Sequence, residues 1–397
     1  MKSRGPLAGY RIVEMAHHLA APLAAMHLAD FGADVVKVET LEGEDWRRWG
    51  RATAAGPGMS ALFLAVNRNK RSLALDLRRP EGRRVLDRLL AKADVLLTNY
   101  AAEPLSELGL DARTLRRRFP RLIAASLSAF GTLGSEAGRR AFDIVVGGET
   151  GLLQPHPDGV SPPLVNTAPI ADTSSALMVA YGVTLALLHR ERTGRAQPVE
   201  TALVNACIAL QAHRFIWLDG EPAPELRIPP MTLYGAYATK DGYITIAVLA
   251  ERLWGRLCKA LDLEALLSDA RYTPWSELTA RQLELRPLLD ERFRTRTTDE
   301  WLARLGPAGV PAGRVNWGAA VFDHPQLRAN GVVATTRHPR AGRMTGMGFP
   351  LRLPASPARL RRHAPQLGAH TREVLAELKY RAAEIRRLVD DHVVRVT

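Results

Sequence analysis

The strongest constraint on this chain is a repeating alternation of strand and helix patterns that begins at residue 10. Tyr10-Arg-Ile-Val-Glu14 is a short β-forming run, residues 20–31 carry helical periodicity and stop at Gly32, and Asp34-Val-Val-Lys-Val-Glu39 is a second strand. The pattern continues through strand segments 72–77, 94–98 and 122–127, separated by helical stretches such as 80–93. Strands alternating with helices of this length predict an α/β fold with a doubly wound parallel sheet. Ligands of such sheets bind at the carboxyl ends of the strands, which puts His17 and His18, just after the first strand, at the edge of a crevice. The turn that carries them, Met15-Ala-His-His-Leu-Ala-Ala-Pro22, has none of the glycines of the dinucleotide fingerprint, so a nicotinamide or flavin cofactor is not expected.

At 397 residues and 46% hydrophobic content, the chain can build one large core or two moderate ones. Met1-Lys-Ser-Arg-Gly-Pro lacks the apolar segment of a signal peptide, and no apolar run approaches a membrane span, so a cytoplasmic location without membrane attachment is expected. Cys207 and Cys258 stand alone, without metal-ligand spacing or a nearby cysteine, which suits a reducing compartment and offers no metal site. The formal net charge of +13 raises nucleic-acid binding, which depends on clustered cations. Here the arginines are dispersed, with short groups only at Arg78-Arg79, Arg116-Arg117-Arg118 and Arg361-Arg362, and no nucleic-acid-binding motif accompanies them. No nucleic-acid partner is expected, and a small polyanionic ligand accounts for the basic excess equally well.

A second signal is Pro169-Ile-Ala-Asp172-Thr-Ser-Ser, which runs into an apolar helical pattern at 176–188 and closes at Arg192-Thr-Gly194. An aspartate at a helix N-cap accepts bonds from free backbone amides, and the positive helix end favours its anion. Asp172 is thus either a plain cap or a carboxylate held ready as a nucleophile, with Thr173, Ser174 and Ser175 as capping hydroxyls in the same turn. After a helix expected at 201–218, Gly220-Glu-Pro-Ala-Pro-Glu and Ile228-Pro-Pro read as linker. Two alternating segments within 234–248 are separated by Lys240-Asp-Gly242, a hairpin signal, and helical patterns follow at 251–261, 280–294 and 298–305. The expected division is 1–200 as the first part of a large domain, 201–224 as helix and linker, 225–325 as a smaller α+β domain, and 326–397 as a tail with a helix at 371–378.

Taken in order, these segments resemble the class III coenzyme A transferases, the CaiB/BaiF family, over essentially the whole chain. The likeness is carried by Leu28-Ala-Asp-Phe-Gly-Ala-Asp-Val-Val-Lys-Val-Glu39, Asn69-Lys-Arg-Ser-Leu-Ala-Leu-Asp-Leu77, Ala93-Asp-Val95 with Asn99-Tyr100, and Phe119-Pro-Arg-Leu-Ile123 with Ser128-Ala-Phe-Gly131. It continues through Asp172, Arg192-Thr-Gly-Arg195, Ala308-Gly-Val-Pro311 and Leu367-Gly-Ala-His-Thr371. The resemblance implies a Rossmann-like large domain built from the N-terminal half and the tail, a small domain inserted between them, and an interlocked homodimer. A heteromer with a related subunit is the other assembly it allows.

The activity implied is transfer of coenzyme A from an acyl-CoA donor to a carboxylic acid, with CoA and acyl-CoA as substrates and neither a permanently bound cofactor nor a metal. Asp172 matches the aspartate that attacks the donor thioester. A mixed anhydride forms as CoA thiolate leaves, and the thiolate returns to give an aspartyl-CoA thioester that the acceptor acid then takes apart in reverse. Asp143 matches an acidic residue beside that nucleophile. The CoA-contacting set implied is His17, Leu19, Ala20, Leu75, Arg78, Asn99, Tyr100, Arg140 and Phe142.

Departures from the family narrow the substrate. Leu19 stands where the formyl-CoA:oxalate branch has a glutamine, Glu107 replaces a basic CoA contact, and 234–248 lacks that branch's glycine-rich loop. A different acid, larger or more apolar, is therefore expected. An α-methylacyl-CoA racemase would share the fold but needs a histidine before Asp143, where this chain has Phe142, which cannot carry a proton. The altered positions 19 and 107 keep open a non-catalytic CoA-binding subunit; Asp172 argues for a competent site.

Overall fold

The structure, a computed structural model, describes residues 5–156, 160–166, 168–222 and 231–397. The chain divides into two compact units, Met1–Leu226 with Arg328–Thr397, and Arg227–Leu327. Of the expected linker, residues 223–230 lie outside the described residues, as do the first four residues of the chain.

The first unit is built on strands β1 (Arg11–Met15), β2 (Asp34–Glu39), β3 (Lys70–Leu75), β4 (Val95–Thr98), β5 (Ile123–Ser128), β6 (Val199–Ala202) and, at the C-terminus, β12 (Val394–Arg395). They form one sheet in the order β12-β3-β2-β1-β4-β5-β6, parallel throughout except for β12 against β3. This is the large parallel-dominated sheet that the alternation predicts. Strand order reverses between β1 and β4, and a crevice opens at such a switch point.

Helices α1 (Ala20–Asp30), α2 (Ala61–Val66), α3 (Pro80–Leu90), α4 (Ala102–Glu107), α5 (Ala112–Arg118), α6 (Asp143–Glu149), α7 (Ile170–Thr193) and α8 (Leu203–Leu210) accompany these strands. Successive residues of β1 feed opposite faces, as strand periodicity requires. Ile12 joins the core formed with α1, α7 and α8, whereas Val13 and Met15 join the core formed with α3 and the C-terminal helices. At the start of α3 a side chain has no room: a Cβ on Gly82 would lie 2.0 Å from the Asp76 carbonyl oxygen. Gly82→Ala is expected to destabilise the protein by about 2–3 kcal/mol, read as a lower denaturant midpoint.

Two sequence expectations about the first unit are corrected. The helix expected at 201–218 is instead strand β6 followed by α8, because Val199-Glu-Thr-Ala202 pairs with β5 and the helix starts only after it. The expectation that no apolar run approaches a membrane span is also corrected, since α7 is 24 residues long and, by length and composition alone, apolar enough to cross a membrane. Its inner side, including Ala176, Val179, Val183 and Leu187, packs in the core beside α1 and β5, while Leu177, Met178, Tyr181, Leu185 and Leu188 stay exposed.

The second unit holds a three-stranded antiparallel sheet of β7 (Tyr234–Ala238), β8 (Tyr243–Ala247) and β9 (Ala312–Arg314), with the expected hairpin at Lys240-Asp-Gly242. Helices α9 (Glu251–Ala260), α10 (Trp275–Arg281), α11 (Arg286–Phe293) and α12 (Thr298–Leu305) bury Tyr237, Phe293 and Trp301 against it. The single helix expected at 280–294 is broken, because Pro287 at the first turn of α11 cannot donate to a preceding turn. Helices α13 (Ala319–Asp323) and α14 (Pro325–Ala329) lead back to the first unit, where the hairpin of β10 (Val333–His338) and β11 (Gly342–Met347) precedes α15 (Thr371–Glu377) and α16 (Ala382–Asp390).

Candidate active site

At the switch point the chain leaves β1 through Ala16-His17-His18 and enters α1. Asn99, just past the neighbouring strand β4, closes on His17: its side-chain oxygen accepts the His17 amide at 3.2 Å and its nitrogen donates to the His17 carbonyl at 2.9 Å. The Tyr100 ring stacks on the His17 imidazole with centroids 4.8 Å apart. Burial pushes His17 down to about 4, with His18 and Lys37 adding repulsion, so this imidazole is neutral near pH 7. The His18 ring lies 5.6 Å from Phe142 and 6.2 Å from Trp46, which joins the wall after β1 to the loop before α6.

That loop brings in the two aspartates. Asp143 opens α6, and its Oδ1 accepts the backbone amide of Asp172 at 3.0 Å. The expectation that Asp172 is itself the N-cap is corrected: α7 starts at Ile170 with Pro169 as cap, so Asp172 is the third helical residue and Asp143 supplies the cap bond. Thr173, Ser174 and Ser175 do not cap either; their hydroxyls donate back to the carbonyls of Pro169, Ile170 and Asp172 at 2.8, 2.7 and 2.9 Å.

The charge state also departs from expectation. Instead of a carboxylate held low by the helix end, burial and then the neighbouring Asp143 push Asp172 up to about 7. A half-buried carboxyl that ionises near neutrality is a more basic nucleophile than an exposed aspartate and still has a populated anion at working pH. Reaction of Asp172 with an electrophilic acyl donor is therefore expected to speed up as pH rises and to level off above about 7, as a pH profile of single-turnover acylation would record.

The structure thus gathers His17, Asn99, Tyr100 and, through His18, Phe142, and it joins Asp143 to Asp172. The other predicted residues make different contacts. Leu19 and Ala20 are buried in the core at the start of α1, and Leu75 is buried in the opposite core at the end of β3. Arg78 is exposed and bonds Asp76 at 2.9 and 3.1 Å. Arg140 is exposed on the loop before α6, and Glu107 is exposed at the end of α4. A cavity of about 440 Å³ among α2 and the β10–β11 hairpin, lined by Arg51, Leu64, Met344, Phe349 and His363, contains none of the predicted site residues.

Sequence reasoning missed the charged layer beneath the crevice. Glu14 and Lys37 are register partners on β1 and β2, and their side chains pair at 2.8 Å with no solvent exposure. Lys70 of β3 pairs with the other Glu14 oxygen at 2.8 Å, and Glu44 pairs with Lys37 at 2.9 Å. Glu39 binds Arg47 through two bonds of 2.7 Å and accepts the Ser72 hydroxyl at 2.9 Å. Burial pulls Lys70 down to about 8, whereas Glu14, Glu44 and Glu39 together overcome burial at Lys37 and hold its ammonium firmly charged. The available signal was the set of charged residues inside strand patterns, Glu14, Lys37, Glu39 and Lys70, which solvent-facing positions alone would not explain.

Residues 7–371 match the family described as CoA-transferase family III. Succinate–glutarate CoA-transferase of Agrobacterium fabrum is 33% identical over 385 residues, which cover 94% of this chain and 96% of the relative. The alpha subunit of succinyl-CoA–L-malate CoA-transferase of Chloroflexus aurantiacus is 32% identical over 395 residues, covering 96% of this chain and 91% of that one. The crystal structure of a CAIB/BAIF family protein from Brucella suis superposes with a TM-score of 0.84 at 33% identity, over 94% of this chain and 100% of that chain. A match in sequence and in fold along nearly its full length establishes that this chain belongs to CoA-transferase family III, the CaiB/BaiF family, and is a CoA-transferase.

Proposed function

We propose that this enzyme moves coenzyme A between carboxylic acids through a covalent aspartyl-CoA thioester on Asp172. The observation that carries this reading is the Asp172 carboxyl at about 7, in the first turn of α7 and bonded through its own amide to Asp143. Asp172 attacks the thioester carbonyl of the donor, the carbon–sulfur bond breaks, and CoA thiolate leaves a mixed anhydride. The thiolate then attacks the Asp172 acyl carbon, releasing the donor acid as a carboxylate and leaving the aspartyl thioester. An acceptor carboxylate runs the two exchanges in reverse, so one activated acyl bond is conserved at every stage and no nucleotide is consumed. Asp143 fixes the amide of the nucleophile; His17, Asn99 and Tyr100 line the CoA side, with Arg78 and Arg140 as exposed cations for its phosphates.

The named relatives act on succinate with glutarate and on succinyl-CoA with malate, which supports four- and five-carbon dicarboxylic acids as substrates here, larger than oxalate. The apolar outer side of α7 supports an assembly of two copies, for which we propose the interlocked homodimer; the subunit naming of the Chloroflexus relative supports a related second chain as the alternative. The test is mass spectrometry of the protein incubated with a panel of acyl-CoA donors and trapped with hydroxylamine. Modification is expected on the Asp172 peptide with a succinyl or glutaryl donor, and a clean peptide in a protein that still binds CoA would defeat the mechanism.

A further inference from the structure

The Ala16-His17-His18 turn is held by more bonds than a three-residue connection requires. Lys37 Nζ donates to the Ala16 carbonyl at 2.7 Å, Asn99 engages both polar backbone groups of His17, and Glu44 Oε2 accepts the His18 amide at 2.9 Å. Glu44 is itself tied down, since its other oxygen pairs with Lys37 at 2.9 Å, and the two side chains are 4% and 0% exposed. Four backbone groups are thus fixed by three side chains, from β2, from the loop after β2 and from the end of β4.

The residue these bonds constrain is His18, which sits at φ +65. That left-handed conformation costs an L-residue energy, and strained residues persist where their surroundings over-determine them, most often at ligand sites. The two histidines of the turn have different surroundings. His17 is stacked under Tyr100, while His18 lies beside Phe142 and Trp46, and Phe142 directly precedes Asp143, the partner of the Asp172 amide. The ammonium that holds the turn, Lys37, is fully buried and already committed to Glu14, Glu44 and the Ala16 carbonyl.

We infer that His18, locked by Glu44 and Lys37, is a specificity-determining residue whose imidazole N–H binds the far carboxylate of a dicarboxylic acid reacting at Asp172. The inference rests on the transferase reading of Asp172. An imidazole N–H donating to a carboxylate makes a charge-assisted hydrogen bond, and a monocarboxylic acid of equal length leaves that donor without a partner. His18 thereby selects substrates by what it leaves unpaired as much as by what it binds.

The test compares succinate and glutarate with butyrate and pentanoate as acceptors, using whichever acyl-CoA labels Asp172 in the wild-type enzyme. Wild type is expected to prefer the diacids, and His18→Ala to lower the diacid-over-monoacid ratio of kcat/KM about tenfold or more, chiefly through KM. His18→Gly separates chemistry from strain: it fits the left-handed turn, so it is expected to melt no lower than wild type while losing the same selectivity. Glu44→Ala is expected to lose selectivity with His18 still present, and Glu44→Gln, which keeps an acceptor for the His18 amide, to regain most of it. A folded His18→Gly enzyme that keeps the full preference overturns the inference and leaves the Asp172 mechanism standing, as does a wild type indifferent to the second carboxylate. Failure of wild type to label at Asp172 removes the mechanism itself, and the inference with it.

Discussion

Asp172→Ala is expected to keep CoA binding and lose CoA transfer by at least about a thousandfold, because it removes the group on which the covalent intermediate forms. Asp172→Asn should be equally inactive yet more stable than wild type at pH 8. The folded carboxyl ionises near 7, against about 3.9 in an unfolded chain, so between those values the folded state keeps a proton that the unfolded state has lost. Asp172 therefore contributes most to stability below about pH 4, and that contribution disappears as pH rises through 7. Asparagine carries no such penalty, and solvent at the half-buried carboxyl screens part of the effect, so a gain of about 1–2 kcal/mol is expected at pH 8. Calorimetry at pH 4 and pH 8 checks this: the difference between the two proteins should open as pH increases. Equal melting temperatures at both values would mean that Asp172 is an ordinary solvated carboxylate, and equal turnover in the alanine variant would end the proposed mechanism.

The second large effect is expected at Glu14. This one carboxylate faces two fully buried ammoniums, Lys37 and Lys70, each at 2.8 Å. Removing it leaves Lys37 with Glu44 as its ion-pair partner and Lys70 with the Pro22 carbonyl and Asn67 side chain, both neutral acceptors at 2.8 Å. Burial already pulls Lys70 down to about 8, and without Glu14 it should shed its proton at neutral pH. Glu14→Gln is expected to cost about 3–5 kcal/mol, the usual scale for breaking a buried pair on one side only. Urea denaturation should show a lower midpoint with an unchanged slope. A change below about 1 kcal/mol would show that water reaches the layer. Since Lys37 also holds the Ala16 carbonyl and Glu44, residual activity of the variant should fall together with its stability.

Both effects arise from contacts between distant parts of the chain, and this separates what could be read from the sequence from what could not. Strands β1 to β5 were legible because a strand covered on both faces is a short apolar run, and a crossover helix shows as a second period between runs. The β7–β8 hairpin was legible because Lys240-Asp-Gly242 marks a tight turn between alternating segments. β6 was not, since four residues, Val199-Glu-Thr-Ala202, carry too little pattern to separate them from the helix that follows. The two-residue β12 and the β10–β11 hairpin were missed as well, because edge pairing is set by the partner strand more than by the residues themselves.

The site divides the same way. By itself the sequence determined the α/β alternation, the position of His17 and His18 after the first strand, and the aspartate at the start of a long apolar helix, because each is a local pattern. Only the tertiary structure decided that Asp143 caps the helix of Asp172, that Asp172 ionises near neutrality, and that Glu44 and Lys37 hold His18 in a left-handed turn. Each of those depends on burial and on hydrogen-bond partners 21 to 29 residues away in sequence, and desolvation and hydrogen-bond geometry do not exist until the fold has brought those groups together.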